Sequence, residues 1–461
     1  MPELERKLGL GDSTFLVVGS VLGSGIFLTT GIIAKDLPSP GLIWIVWILG
    51  GLITLCGALT YAELGAQSPK SGGPYVYLKE AYGSGAAFIY GWAFFWIIGG
   101  GGIAAIAVGF AEYVGAFIPG LSLSHVLLDT RLGPLHLNPS AGQVVAVLSI
   151  VVLSGLNYRG IQSGARFQNV FTVLRILALV GLAGLGLALG KKAGVQSFSR
   201  VFELPSGVSW RAFAIALIPV LWAYDGWYSV SCTAEEIRNP GKNIPRGLAL
   251  GTSIVILLYL LANIVYSIAL PVEKMKGIVR IGEAASVQLF GPNGGLFLSG
   301  FILLAVFGCL SANLIYCPRI SFAMARDGLF FRSLAYVHPK FHVPSRAITA
   351  QMFWAGFLCL SGTYQSLYEY VVFALAFFFA ATGLSIIVLR KKNPGRPRPY
   401  RTWGYPVLPL LFGLANVYLF INIIISRPRQ SLAGTFFLAL GLPAYILWNR
   451  GRHPEKKVPP L

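Results

Sequence analysis

Gly23-Ser24-Gly25-Ile26-Phe27 lies in the middle of an apolar run, Ser13 to Ala34, that contains no charged residue. A run of about 20 such residues is long enough to cross a bilayer. Its centre, Gly19-Ser20-Val21-Leu22-Gly23-Ser24-Gly25, is poor helix material. A spanning helix that breaks there frees N–H and C=O groups at membrane depth, where irregular backbone is tolerated only around a protein-buried cavity. Broken helices whose free ends hold a substrate are the working parts of many secondary transporters. The alternative reading makes these glycines a face for close helix packing.

The rest of the chain supports a membrane reading. Of its 461 residues, 55% are apolar and only 11% charged, against roughly 25% charged in soluble domains; the mean hydropathy is +0.69. The net charge of +19 comes from Lys and Arg in short loops between apolar runs. That pattern controls topology and does not build a nucleic-acid face. Apolar runs near 13–34, 41–67, 86–118, 140–157, 167–190, 211–233, 247–271, 293–325, 346–362, 366–390, 405–426 and 431–449 predict an all-α integral membrane protein with about twelve spanning helices. Loops near 119–139 and 191–210 are expected outside, and connections near 69–85, 234–246 and 326–345 inside. With that assignment most of the 36 Lys and Arg residues lie inside. Both termini are therefore expected in the cytoplasm, with the chain in the cell (inner) membrane. No cleavable signal peptide is read in Met1 to Asp12.

Cys56, Cys232, Cys309, Cys317 and Cys359 fall in or beside apolar runs and read as small buried hydrophobes. His125, His136, His338, His342 and His453 fall in loops without ligand spacing. No metal or cofactor is implied.

The sixth run contains a second interruption, Leu221-Trp222-Ala223-Tyr224-Asp225-Gly226-Trp227. An acid inside a spanning segment marks function by default. Runs one and six occupy corresponding places in two five-helix halves, and paired Gly-interrupted segments point to a transport site. A half-helix starting near Ser24 and Gly25 aims N–H groups at a carboxylate. One ending near Trp222, Ala223 and Tyr224 aims carbonyls at an ammonium group. A ligand with both groups on one carbon is an amino acid. Asp225 either caps the second half-helix or faces the cavity and favours polar or cationic ligands. Trp222 and Trp227 are either lids or packing residues.

These residues carry a family resemblance. Gly23 to Phe27, Ser39-Pro40-Gly41, Tyr61-Ala62-Glu63-Leu64-Gly65 and Pro69 to Tyr77 resemble the amino acid–polyamine–organocation transporters, in particular their L-type branch. So do Ala223 to Trp227, Glu235-Glu236-Ile237-Arg238-Asn239-Pro240, Asn243-Ile244-Pro245 and Arg326-Asp327-Gly328-Leu329. The resemblance spans roughly residues 8 to 450. It implies a LeuT-type fold of five-plus-five inverted repeats (1–190 and 205–392) followed by two helices (402–450), with helices one and six discontinuous. It implies alternating-access transport of L-amino acids, often as exchange. Ser24, Gly25 and Ile26 would hold the carboxylate; carbonyls of Trp222, Ala223 and Asp225 would hold the amine, and Trp222 would gate the site. Helix three, helix eight near Ser311–Asn313 and helix ten near Phe373–Phe377 would shape the side-chain end.

Two departures matter. Arg175 stands where this branch usually carries a Lys near the cation site of sodium-coupled relatives. An Arg keeps its proton, so sodium-independent exchange or facilitated transport of neutral amino acids is expected over proton symport. Cationic amino acids or polyamines are the other alternative. The competing reading of Arg175 is a residue snorkelling to the interface. Residues 112–140 hold no Cys, so no disulfide-linked partner subunit is expected. Glu63 either pairs with a basic residue at an inner gate or ends its helix; Glu235 and Glu236 are expected to pair with basic loops. A channel, a receptor and a membrane-embedded enzyme are the competing classes, and the last lacks any His within a run.

Overall fold

The computed structural model describes residues 4–128, 130–132, 135–137, 139–190, 208–361, 364–426 and 428–450. The 191–210 loop therefore lies largely outside the described residues. So do the basic residues Arg452, Lys456 and Lys457, and His453.

The first apolar run forms α1 (Leu10–Val21), α2 (Gly25–Leu28) and α3 (Thr30–Ile33), interrupted at 22–24. Then come α4 (Pro40–Gln67), α5 (Pro74–Tyr82), α6 (Ser84–Ala93) and α7 (Gly100–Phe117), the last two joined through a π-helical turn, Phe94–Gly99. The chain continues with α8 (Ala141–Tyr158), α9 (Ile161–Gly190) and α10 (Trp210–Ala223). After a second interruption follow α11 (Ser229–Cys232), α12 (Pro240–Ala269), α13 (Val272–Met275), α14 (Ile281–Arg326), α15 (Ser345–Cys359), α16 (Tyr364–Lys392), α17 (Val407–Ser426) and α18 (Pro428–Arg450). Proline at the first helical position opens α4, α5 and α12, where its missing N–H leaves no bond unmade.

Among the described residues, nine spans are long and apolar enough to cross a membrane. The outer faces carry exposed Val152, Leu177, Leu414 and Ile425, side chains suited to lipid. The expected run at 293–325 is longer than read, because α14 continues back to Ile281 across a kink at Gly291 (φ +77°). The connection near 69–85 is largely helical, as α5. The protein is all-helical in its spans, as expected; the loop after α7 adds one short hairpin, in which β1 (Thr130–Leu132) pairs antiparallel with β2 (Leu135–Leu137).

α12 is the central strut, packed against α4, α1 and α9. At one end of the bundle, acids meet arginines. Arg390 on α16 holds Glu63 of α4 at 2.9 and 2.7 Å, and the Thr402 N–H donates to the same carboxylate at 2.7 Å. Glu63 thus clamps α4 to α16 and the turn beyond. Glu236 receives two bonds from Arg319, at 2.9 and 3.2 Å, both side chains being fully buried. Glu235 accepts from Arg326 at 2.8 and 2.9 Å and from the Ser71 N–H. These partners come from α14, so the expected pairing with basic loops is corrected to pairing with one helix. The chain before α1 runs parallel to Ile237, the Leu8 N–H donating to the Glu236 carbonyl and the Arg238 N–H to Leu8.

Breaking one side of the buried Arg319–Glu236 pair strands a charge, which costs about 3–5 kcal/mol. Arg319→Met is expected to lower the thermal unfolding midpoint of the purified protein sharply. Adding Glu236→Leu is expected to restore much of it. Glu235 behaves differently because its partner is exposed. Burial pushes its carboxyl up, but the hydrogen bonds and charge of Arg326 and the Ser71 N–H outweigh burial and hold it below the ordinary 4.5. Its stabilising effect is therefore complete above that value and lost as pH falls through the lowered one. Glu235→Gln is expected to flatten that acid limb in unfolding measurements across pH.

Candidate functional site

The two interruptions face each other. Past Val21 the chain leaves helical geometry, and Gly25 restarts it against the end of α10. A Cβ on Gly25 would stand 2.6 Å from the Ala223 Cα, so only glycine permits this approach. On the opposite side Gly226 has φ +98°, and a Cβ there would meet the Ser20 carbonyl at 2.8 Å. Between them lies a small cavity walled by Ser20, Val21, Gly23, Ser24 and Gly25 of the first interruption and by Trp222, Ala223 and Asp225 of the second. Ile98, Gly102 and Ile106 close it from the π turn and α7; Cys309, Asn313 and Tyr316 close it from α14.

Several carbonyls at the breaks have partners. Arg175 reaches from α9 with Nη1 donating to Gly19 and Leu22, each at 2.7 Å, and Nε donating to Phe171 at 3.0 Å. Its side chain is buried, and among the described residues no carboxylate lies within ion-pair distance of it. Carbonyl dipoles at a helix end therefore balance this charge. Arg175 does not snorkel to an interface. The Tyr259 hydroxyl of α12 lies 2.7 Å from the Val21 carbonyl and 2.9 Å from that of Ala223. One hydroxyl thus joins the free C-terminal ends of α1 and α10.

Further along the wall, Tyr316 donates to Asn313 Oδ1 at 2.8 Å, and Asn313 donates to the Cys309 carbonyl at 3.0 Å. Asp225 Oδ1 is shielded from solvent with no hydrogen-bond partner among the described residues. Asp225 does not cap α11. That segment begins four residues later, at Ser229, behind Tyr228, and has no side-chain cap.

Five of the residues singled out in the sequence, Ser24, Gly25, Trp222, Ala223 and Asp225, share the cavity wall. Ile26 is buried beside it and does not line it. The Ala223 carbonyl shares the single Tyr259 hydroxyl proton with Val21, and the Trp222 carbonyl accepts from the Asp225 N–H. Trp222 stacks on Tyr368 of α16, with ring centroids 5.7 Å apart. Trp227 packs among Tyr61, Phe379 and Phe412, away from the cavity, so it is a packing residue. Phe373 and Phe377 do not shape the cavity either; both pack on Phe420. α16 bears on the site through Tyr368, which backs the Trp222 ring and does not itself line the cavity. Nothing in the sequence singled out Tyr259 or Tyr368. Both are aromatic residues within apolar runs, and only long-range packing reveals their partners.

Apolar spans around a cavity lined by two helix interruptions define a multi-pass membrane transporter. The chain belongs to the amino acid permease family, whose profile matches residues 8–448. It is 30% identical over 449 residues to the serine/threonine exchanger SteT of Bacillus subtilis, covering 96% of each chain. It is 28% identical over 450 residues to the human b(0,+)-type amino acid transporter 1, covering 96% of this chain and 88% of that one. It is 29% identical over 461 residues to the mouse large neutral amino acids transporter small subunit 2, covering 98% and 83%.

The Gly25 contact is testable directly. Overpacking of this kind costs about 1–3 kcal/mol, so Gly25→Ala is expected to cut amino-acid uptake by about tenfold or more. The variant is expected to purify as a monodisperse protein. Wild-type uptake by this variant would place the Gly25–Ala223 approach outside the transport cycle.

Proposed function

We propose that this protein carries neutral L-amino acids across the cell membrane by alternating access, as a sodium-independent exchanger or facilitator. The observation that carries the reading is the buried Arg175 guanidinium on the Gly19 and Leu22 carbonyls. A permanent positive charge at the break does the structural work of a bound cation, and its retained proton makes it a poor proton carrier. The carboxylate of the substrate meets N–H groups at Ser24, Gly25 and Ile26, and its ammonium meets the carbonyl end of α10 at Trp222, Ala223 and Asp225. Because Ile26 is off the wall and the Trp222 and Ala223 carbonyls already have partners, Gly25 and Asp225 bear most directly on the ligand. Ile98, Ile106 and Trp222 narrow the side-chain end, which favours small residues such as alanine, serine, cysteine and threonine. The name of the Bacillus relative, a serine/threonine exchanger, points the same way.

In this reading residues 1–190 and 205–392 are inverted repeats, 402–450 add two helices, and both termini are cytoplasmic. The chain works without a disulfide-linked subunit, since residues 112–140 hold no Cys. A second reading has one observation in its favour: the unpartnered Asp225 Oδ1 on the cavity wall suits a cationic side chain or a proton.

Counterflow in proteoliposomes tests these readings. Vesicles loaded with unlabelled alanine or serine are expected to accumulate the labelled amino acid with or without sodium and without a pH gradient. Uptake into empty vesicles driven only by a proton gradient would make the protein a symporter. Stronger competition by arginine or lysine than by serine would favour the cationic reading. Arg175→Ala is expected to cut exchange by about 100-fold, the loss attending removal of one partner of a buried charged hydrogen-bonded set. Arg175→Lys is expected to keep measurable exchange and acquire pH dependence.

A further inference from the structure

Where α8 ends and α15 begins, an open-sided groove is lined by Tyr158, Ser345, Arg346, Thr349, Ala350 and Phe353. It is remote in sequence and lining from the substrate cavity. Its walls change character along its length. At the loop end stands Arg346, exposed, with its guanidinium over the Tyr336 ring at 4.4 Å. Among the described residues no carboxylate pairs with it, unlike Arg319, Arg326, Arg390 and Arg396. The Thr349 hydroxyl beside Arg346 donates to the Ser345 carbonyl at 3.1 Å, and Ser345 itself is buried, so Arg346 is the donor this mouth offers. The first turn of the fifteen-residue α15 adds the positive end of a helix dipole. Arg159 follows Tyr158, and Lys340 sits over the Phe341 ring, which itself packs on Tyr158; both cations are exposed.

Toward the middle of the bundle the groove turns apolar. Ala350 and Phe353 form its floor. Phe353 is 69% exposed; Phe357, one turn further along α15, is 59% exposed, and Leu148 and Val152 of α8 are 57% and 62% exposed. In a protein that spans a membrane these faces meet acyl chains. A cationic mouth running into a lipid-facing apolar trough matches one molecule in both halves.

We infer that the groove between α8 and α15 is a binding site for an anionic phospholipid. Its phosphate sits on Arg346 at the first turn of α15, and one acyl chain lies over Ala350 and Phe353. Basic pockets between spanning helices at the membrane surface recognise anionic headgroups. A free phosphate would meet only an exposed, water-screened cation and would leave the trough unused. In the topology proposed above the site faces the inner leaflet, but lipid binding at the groove does not depend on the transport reading.

Native mass spectrometry of the purified full chain, titrated with phosphatidylglycerol or with phosphatidylcholine of the same acyl chains, tests this site. Phosphatidylglycerol is expected to be retained preferentially. Arg346→Ala is expected to weaken its binding by about fivefold, the factor for losing one basic residue at an anionic surface, and to leave phosphatidylcholine unchanged. Arg346→Lys is expected to keep most of the preference. Ala350→Phe, which fills the trough and keeps the charge, is expected to weaken retention of phosphatidylglycerol. Undiminished phosphatidylglycerol binding by both Arg346→Ala and Ala350→Phe would overturn the site. So would equal binding of the two lipids by the wild type. Displacement of the lipid by millimolar inorganic phosphate would reduce it to a simple anion site.

Discussion

The guanidinium of Arg175 on the carbonyls of Gly19 and Leu22 is the contact on which the unwound centre depends. A helix broken inside a membrane leaves polar backbone where water cannot reach it, and each unmet group is costly. Arginine resolves this with a rigid planar set of donors that serves two carbonyls of the break and one of its own helix. The Tyr259 hydroxyl bridges the Val21 and Ala223 carbonyls, which share its one proton. The first break is thus tied to α9, and both breaks to α12, elements outside either break. Glycine at 25 and 226 then lets the two chains close on each other with little room left for a ligand.

The acid–arginine contacts at one end of the bundle complement this centre. Glu63 with Arg390, Glu235 with Arg326 and Glu236 with Arg319 connect α4, the α11–α12 turn, α14 and α16. The strand-like arm before α1 bonds to the same turn. Any movement of α1 or α11 that opens the cavity at this end must disturb some of these contacts. They differ in their environment: Arg319–Glu236 is sealed, whereas Arg326 is open to water. The sealed pair is suited to holding α14 on the turn, and the exposed one to exchanging partners at little cost.

Much of the site was readable because it violated local rules. Glycine and serine at the centre of a spanning run, and an aspartate in another, are expensive anywhere except at a functional break, so the residues announced themselves. Glu63 stood out as an acid at the end of an apolar run, and Arg175 as a departure from the Lys that the resembling family carries there. Asn313, expected on helix eight, does line the cavity, but Tyr259, Tyr368 and Tyr316 violate nothing. A tyrosine in an apolar helix is ordinary, and its role depends on which backbone oxygen or ring lies across the helix interface. The misplacement of Phe373 and Phe377 has the same origin. One face of α16 turns toward α4 and α10 and another toward α17, and hydropathy does not distinguish two apolar faces.

The sequence by itself determined that this is a helical membrane protein, where two of its helices break, and which family it belongs to. Charge content, run length and interrupted glycine motifs are local properties, and membrane insertion reads them locally. Only the tertiary structure decided which carbonyls Arg175 satisfies, that Asp225 turns to the cavity and caps nothing, that Trp227 is packing while Trp222 lies on Tyr368, and that α8 and α15 leave a groove ending at Arg346. Those outcomes depend on helix rotation and on contacts between residues more than a hundred positions apart. Such contacts are selected by side-chain packing across the whole bundle, and no local pattern along the chain encodes them.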